Sequence, residues 1–251
     1  MRILNIFKRV PDTYAEINLN SDFSDINKDG LSYVIDPYGE YGMETALRMK
    51  DNNSSIELNV LTIGPENSTE LLRNALALGF DNSYLIKYDN YDKLSPLVLS
   101  KLYLSFIQKF GPFDIIFVPK VDIDTNFSSI CGYLAGFLNM NFLTNISSAY
   151  LDGEFIIIER ETDIGKEKIR MRLPVILSHD KAPYEIRLAN LKGIMASKKK
   201  PIHIINIDEL NVSLENHIKR GKLKLPPQRA SVKFLSSVDE LIKVLKEEIK
   251  I

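Results

Sequence analysis

The sequence predicts an α/β protein built on a largely parallel, twisted sheet, with a β-hairpin at one edge and an extended C-terminal arm. Three observations predict it. Short apolar runs of strand length alternate with longer stretches of helical period, the pattern of parallel crossovers. Pro, Gly or Asp closes most of the apolar runs. From about Asn206 the composition shifts to a basic, proline-containing stretch.

Arg2 to Phe7 forms the first apolar run and stops at Pro11-Asp12, as a buried first strand would. Asn18 to Gly30, rich in Asn, Asp and Ser, is a surface excursion, and Leu31 to Ile35 is apolar again. Asp36-Pro37 opens a helix: the carboxylate caps, and proline suits the first helical position. The plan repeats with a strand over Ile56 to Ile63, the breaker Gly64-Pro65, and a helix over Ser68 to Leu78 closed by Gly79. A short strand over Ser83 to Ile86, a helix over Leu94 to Phe110 and a β-rich run over Asp114 to Val118 follow. A polar loop, Pro119 to Ser129, precedes a helix carrying Tyr133, Leu134, Phe137 and Leu138. Ala149 to Arg160 and Lys168 to Leu173 flank the turn Thr162 to Gly165, predicting the edge hairpin, and Pro174 to Ser178 is one more strand. Lys219 to Lys233 holds six basic residues, no acidic residue and Pro226-Pro227, and Val238 to Ile249 is an amphipathic helix. The expected division is a body over 1–205 and an arm over 206–251.

Composition narrows the function. The chain has 251 residues, 45% of them apolar, enough for a sizeable core. Its net charge of −1 lacks the basic excess of a protein that binds by neutralising phosphates, so nucleic acid is not an expected partner. One cysteine, Cys131, excludes an internal disulfide and a multi-cysteine metal or cluster site, and fits a reducing, cytoplasmic location. No apolar run reaches membrane-spanning length, so the chain is expected not to be membrane-embedded.

Catalytic constellations are missing from the sequence pattern. His179, His203 and His217 show no metal-ligand spacing, and no Gly-x-Ser-x-Gly elbow occurs. Glu159, Glu161 and Asp163 alternate with Arg160 as a solvated strand face would, and nothing requires acid–base chemistry of them. No metal site and no catalytic residue are expected. The sharper signal is positional. In an open parallel sheet, ligands bind outside the carboxyl ends of the strands. Four such ends run into polar or breaker-rich turns: Phe7-Lys8-Arg9, Ile35-Asp36-Pro37-Tyr38, Ile63-Gly64-Pro65 and Val118-Pro119-Lys120. The loop that follows the last offers backbone N–H groups and hydroxyls to a phosphate at a helix start. Alternatively, Asp124 or Ser128 merely caps that helix. Neither Gly-x-Gly-x-x-Gly nor a Walker A sequence is present.

Taken together, the motifs resemble the β subunit of the electron transfer flavoprotein, the family that includes FixA proteins. The most specific piece is Ile158 to Glu167 followed by Leu173 to Ser178, an acidic hairpin and a Leu-Pro strand. Asp36-Pro37-Tyr38 with Glu40, Gly64-Pro65, Arg73 to Gly79, Leu191 to Ile202, and Pro226-Pro227-Gln228-Arg229 support it. The resemblance implies a Rossmann-like, adenine nucleotide alpha hydrolase-like fold. It implies a heterodimer with an α subunit holding most of a redox-active FAD, which carries electrons between client dehydrogenases and an acceptor oxidoreductase or respiratory chain. It also implies AMP, or a second FAD, in this chain's own pocket. Carried over by residue, that pocket uses Ile6, Asp36, Pro37, Tyr38, Gly39, Ile63, Pro119, Lys120, Val121, Asp124, Thr125, Asn126, Phe127, Ser128, Ser129 and Ile130. Partner docking falls to Leu191, Lys192, Gly193, Ile194 and Met195, and the C-terminal arm wraps the α subunit.

The departures from the family pattern are concentrated where function would be. Asp36 stands where the family has Asn, and its carboxylate would repel a phosphate unless aimed at a ribose or protonated. Ile130, Cys131 and Gly132 replace the usual Thr, Gly and Gln. Leu191-Lys192-Gly193 replaces Leu-Pro-Asn. Tyr38 either packs in the core or touches adenine, Lys8 and Arg9 either contact phosphate or solvate a strand end, and Leu191 either docks a partner or is an ordinary buried leucine. Two other readings stay open: a paralogous scaffold subunit that has lost its nucleotide, and a stand-alone nucleotide-binding regulatory protein.

Overall fold

The computed structural model describes residues 1–218, 221–229, 231, 232 and 234–249. The expectations placed on Lys219, Arg220 and Lys233 of the basic stretch, and on the side chain of Ile249, lie outside them. The chain divides into two units, Met1–Glu16 with Lys28–Lys219 and Ile17–Asn27 with Arg220–Ile251.

In the first unit the strands are β1 (Arg2–Ile6), β2 (Arg9–Pro11), β3 (Tyr33–Ile35), β4 (Glu57–Gly64), β5 (Asn82–Lys87), β6 (Ile115–Pro119), β7 (Asn141–Asp152), β8 (Phe155–Thr162), β9 (Gly165–Arg172), β10 (Val175–His179) and β11 (Ile202–Asn206). The helices are α1 (Pro37–Asn52), α2 (Thr69–Leu78), α3 (Pro96–Phe110), α4 (Ile130–Leu138) and α5 (Leu191–Ser197). The main sheet runs β11-β5-β4-β1-β6-β10-β7-β8-β9, parallel from β11 to β7 and antiparallel through β8 and β9. The fold is therefore the α/β, mostly parallel one that the alternation predicts.

Burial follows the two-residue period of β1. Leu4 and Ile6 enter the core shared with Leu99, Leu102 and Leu134 of α3 and α4. Ile3 and Phe7 enter the opposite core, with Met43, Leu47, Leu72 and Leu76 of α1 and α2. Both faces of the sheet are thus covered, which is why the parallel strands read as continuous apolar runs. Local chemistry sets the helix starts. Asp36 before Pro37 and Ser95 before Pro96 each accept a first-turn N–H, from Gly39 and Val98.

Three elements depart from the sequence reading. The stretch over Ala149 to Arg160 is not one strand: Gly153, at φ +63°, turns the chain between β7 and β8. The first half of β7 mixes Asn and Thr with Phe142, Leu143 and the buried Ile146 without a two-residue alternation, so it carries no clear strand signal, yet it is the last parallel strand as well as the first of the meander. Helix α5 and strand β11 are too short for a periodic pattern to register. Across β8 and β9, Glu161 faces Lys166 at 3.2 Å and Glu159 faces Lys168 at 3.9 Å. Arg170 and Arg172 reach Asp152 at 3.3 Å and Glu154 at 3.4 Å.

In the second unit, Leu19 bridges Ile26, and the Leu223 N–H donates to the Phe23 carbonyl at 2.9 Å. Helix α6 (Val238–Val244), capped by the Ser237 hydroxyl, continues into a wider turn over Leu245–Ile249. Leu225, Val232, Phe234 and Val238 are each at least 65% exposed.

Candidate functional site

The chain runs from β1 outward to β4 and β5, then crosses back so that β6 lies on the other side of β1. The carboxyl ends of β1 and β6 therefore flank the point where the winding direction reverses, the usual place for a ligand in such a sheet. The sequence-predicted residues converge there. Ile6 ends β1, Ile63 is the last residue but one of the neighbouring β4, and Pro119 ends β6.

Lys8, just after β1, ties the parts together. Its ammonium lies 3.0 Å from Asp122 and 2.8 Å from Asp124, and its backbone N–H donates to Asp36 Oδ2 at 2.8 Å. Lys8 and Arg9 are each only 7% exposed, so neither solvates the strand end. The Arg9 guanidinium sits 3.4 Å from the centre of the Tyr33 ring and donates to the Tyr91 hydroxyl at 2.9 Å. Neither the Lys8–Asp122 pair nor the Arg9 pocket was legible, because their partners lie far away in sequence.

Asp36 is fully buried, and its two oxygens are used by backbone: Oδ2 by Lys8 and Oδ1 by Gly39 at 2.7 Å. Burial pushes its carboxyl up to about 7, against the pull of those two bonds. Its carboxylate is thus an internal latch between β1 and α1, not a group aimed outward. A Cβ at Gly39 would lie 2.6 Å from Asp36 Oδ2 and 2.9 Å from Phe7 Cβ, so the latch needs glycine there. Pro37 and Tyr38 are half-buried in the first turn of α1.

In the loop after β6, Asp122 accepts the backbone N–H of Asn126 at 2.6 Å through its carbonyl and the Thr125 hydroxyl at 3.3 Å through Oδ2. Asn126 adopts φ +58°. Val121 and Phe127 are half-buried, Ser128 is exposed, and Ser129 caps α4 without a side-chain bond. Neither Asp124 nor Ser128 is that cap. Ile130 and Cys131 point into the core at 6% and 2% exposure. The departures at these two positions therefore face away from the crevice, and what α4 presents is the backbone N–H groups of its first turn. Burial pushes the Cys131 thiol up to about 12, which removes it as a nucleophile at neutral pH. Lys120 turns to Asp180 at 2.6 Å.

A second polar cluster, unforeseen from the sequence, lies beside β10. His179, fully buried, donates from Nδ1 to the Asp180 carbonyl at 2.6 Å, so Nε2 accepts from the Thr45 hydroxyl at 2.7 Å. Thr45 also meets the Tyr184 hydroxyl. Burial pulls the His179 ring down to about 4. Among the described residues, no group of three His, Cys, Asp or Glu side chains could hold a metal ion.

The predicted docking residues gather on α5. Leu191 is 76% exposed, Met195 57% and Ile194 42%, with Leu188 beside them at 91%, so Leu191 is not an ordinary buried leucine. Lys192 is exposed, but Gly193 faces inward, and a Cβ there would strike the Ala77 carbonyl of α2. Gly193→Ala is expected to lift α5 and cost about 1–3 kcal/mol by overpacking, read in urea denaturation, with faster amide exchange over 191–197. An unchanged midpoint and exchange pattern would refute the contact.

A family model described as Electron transfer flavoprotein domain matches residues 25–210. The chain is 31% identical over 247 residues to the electron transfer flavoprotein subunit beta of Dictyostelium discoideum, covering 98% of each. It is 30% identical over 253 residues to the mitochondrial electron transfer flavoprotein subunit beta of Oryza sativa subsp. japonica, covering 100% of each. Against the electron transfer flavoprotein subunit beta of Mus musculus it is 30% identical over 249 residues, 98% of this chain and 97% of the other.

Proposed function

Because the chain belongs to the electron transfer flavoprotein family, on its β-subunit side, we propose that it pairs with an α subunit and binds AMP in the crevice between β1 and β6. The observation that carries the nucleotide part is the start of α4, whose cap makes no side-chain bond and which opens beside the reversal point of the sheet. Ser128, Ser129 and the first-turn N–H groups would hold the phosphate, and the turn from Asp36 to Gly39 would border the nucleoside. The residues fit a phosphate held by backbone donors more than by charge, since Lys8 is already engaged by two carboxylates.

The bare apolar side chains of the arm, Leu225, Val232, Phe234 and Val238, support the partner subunit, whose surface would bury them. An FAD held mainly by that subunit would supply the electron exchange. This chain's own part is to bind, orient and dock, and no catalytic residue is assigned to it. Client dehydrogenases would meet Leu188, Leu191, Ile194 and Met195. A cytoplasmic site of action is supported by the single cysteine, which is buried and unpaired. Among the described residues, no helix is long and apolar enough to cross a membrane.

The engagement of Lys8 favours a second reading, a scaffold subunit that holds the partner but no nucleotide. The test is to purify the tagged chain from its own cells, release bound nucleotides by heat and quantify them per copy of the chain. One FAD with one AMP is the expected result. Two FADs would place a second flavin in the crevice, one FAD without AMP would favour the scaffold reading, and no flavin would overturn the carrier.

A further inference from the structure

The segment between β10 and α5, residues 180–190, has no helix or strand of its own, yet it delivers Leu188 and Leu191 to the surface. Apolar packing alone does not fix it. Beneath Ile186 and Leu188 lies a cavity of about 60 Å³, bordered by Ile35, Met43 and Leu47. What holds the segment to α1 is polar. Glu44, on α1, has a side chain only 2% exposed and accepts four bonds. Its Oε2 takes the Arg187 backbone N–H at 3.2 Å and Nε at 2.9 Å, while Oε1 takes Arg187 Nη2 at 3.0 Å and Arg48 Nε at 2.8 Å. Arg187 Nη2 reaches on to Asp51 at 2.7 Å. One turn away, the Arg48 guanidinium lies 4.1 Å from the centre of the Tyr184 ring, whose hydroxyl meets Thr45.

A buried carboxylate between two guanidiniums, with one of them bound in a fork, has a defined direction as well as a charge. Arg187 stands immediately before Leu188 and four residues before Leu191, so the direction of that fork sets where both leucines emerge. At the far end, Arg73 Nη1 donates to the Lys200 carbonyl at 2.6 Å and fixes the exit of α5. The apolar surface is thus suspended between two polar anchors.

We propose that Glu44 is a positioning residue for partner docking, acting through Arg187 on the placement of Leu188 and Leu191. The inference rests on the reading of that surface as the dehydrogenase-docking site. Glu44→Gln keeps volume and one acceptor but removes the charge between two guanidiniums, and Arg187→Gln removes the fork from the exposed end.

The experiment uses the holo complex and a dehydrogenase purified from the same cells by its reduction of the wild-type complex. Initial rates are measured against complex concentration. Glu44→Gln and Arg187→Gln should each raise KM about tenfold with kcat unchanged, and the double variant should be no worse than the stronger single variant. Amide exchange over 185–191 should quicken in all three while the β1 and β6 amides stay protected. If Leu191→Ala leaves KM unchanged, the docking reading itself fails. If Leu191→Ala raises KM while Glu44→Gln and Arg187→Gln do not, docking stands and the positioning role is overturned. A fall in kcat at unchanged KM, or additive effects in the double variant, would also overturn it.

Discussion

Replacing Lys8 by methionine should lower the unfolding free energy by about 3–5 kcal/mol, the range seen when one partner of a buried ion pair is removed. Methionine fits the volume, so the loss comes from charge. Asp122 is 5% exposed and Asp124 lies beside the same ammonium. Burial already pushes the Asp122 carboxyl up, and Lys8 is the group that draws it back down. Without Lys8 the two carboxylates face each other in a poorly solvated pocket. The penalty should therefore shrink as pH falls from 7 to 5 and Asp122 takes a proton, and Lys8→Met with Asp122→Asn should recover part of it. Urea denaturation at the two pH values measures both effects. A loss under 1 kcal/mol at pH 7 would mean that the trio does not hold β1 to β6.

Asp36→Ala should cost about 2–4 kcal/mol. Loss of a helix cap contributes about 1 kcal/mol, and the orphaned Lys8 N–H adds about 1–3 kcal/mol. The sign of the pH dependence distinguishes this group from an ordinary cap. Its carboxyl is raised by burial from 3.8 to about 7, so the folded state holds a proton that the unfolded state releases. Its contribution is full below about pH 4 and is lost as pH rises through 7. His179 is lowered by burial from 6.5 to about 4, so its contribution is present above 6.5 and is lost as pH falls through 4. Between pH 4 and 6.5 the two slopes oppose each other. Asp36→Asn should unmask the histidine, with stability falling on acidification, whereas His179→Gln should unmask the aspartate, with stability rising. Denaturation midpoints from pH 4 to 8 test this, and parallel profiles for both variants would contradict it.

The contrast between these two residues shows what a sequence can carry. Asp36 was legible as a cap because capping acts over three residues and proline marks the next position. Its second bond, to the Lys8 N–H, depends on where the Phe7-Lys8 turn passes, which no local pattern states. Nor does any local pattern show that both of its oxygens turn to backbone N–H groups. Lys8 could not be paired with Asp122, 114 residues away, without knowing that β1 and β6 are neighbours. Leu191 was visible through resemblance, but nothing near it in sequence announces Glu44, whose role exists only once the 180–190 segment lies on α1. The turns after Phe7, Ile35, Ile63 and Val118 were legible as a group because strand ends followed by breakers mark one edge of a parallel sheet. Their individual duties depend on tertiary contacts.

The paired charges across β8 and β9 bear on how this molecule meets its own copies. β9 ends the sheet, and its outer backbone groups form a template on which another strand could add itself. Lys166, Lys168, Arg170 and Arg172 line that strand at alternate positions, each drawn toward a carboxylate on its own side of the sheet. An identical strand arriving there would bring four more cations against these four, while its one carboxylate, Glu167, sits at an intervening position and is already paired with Arg160. The side-chain ladder that stiffens the meander thus also discourages runaway strand addition, and leaves association to surfaces with apolar anchors.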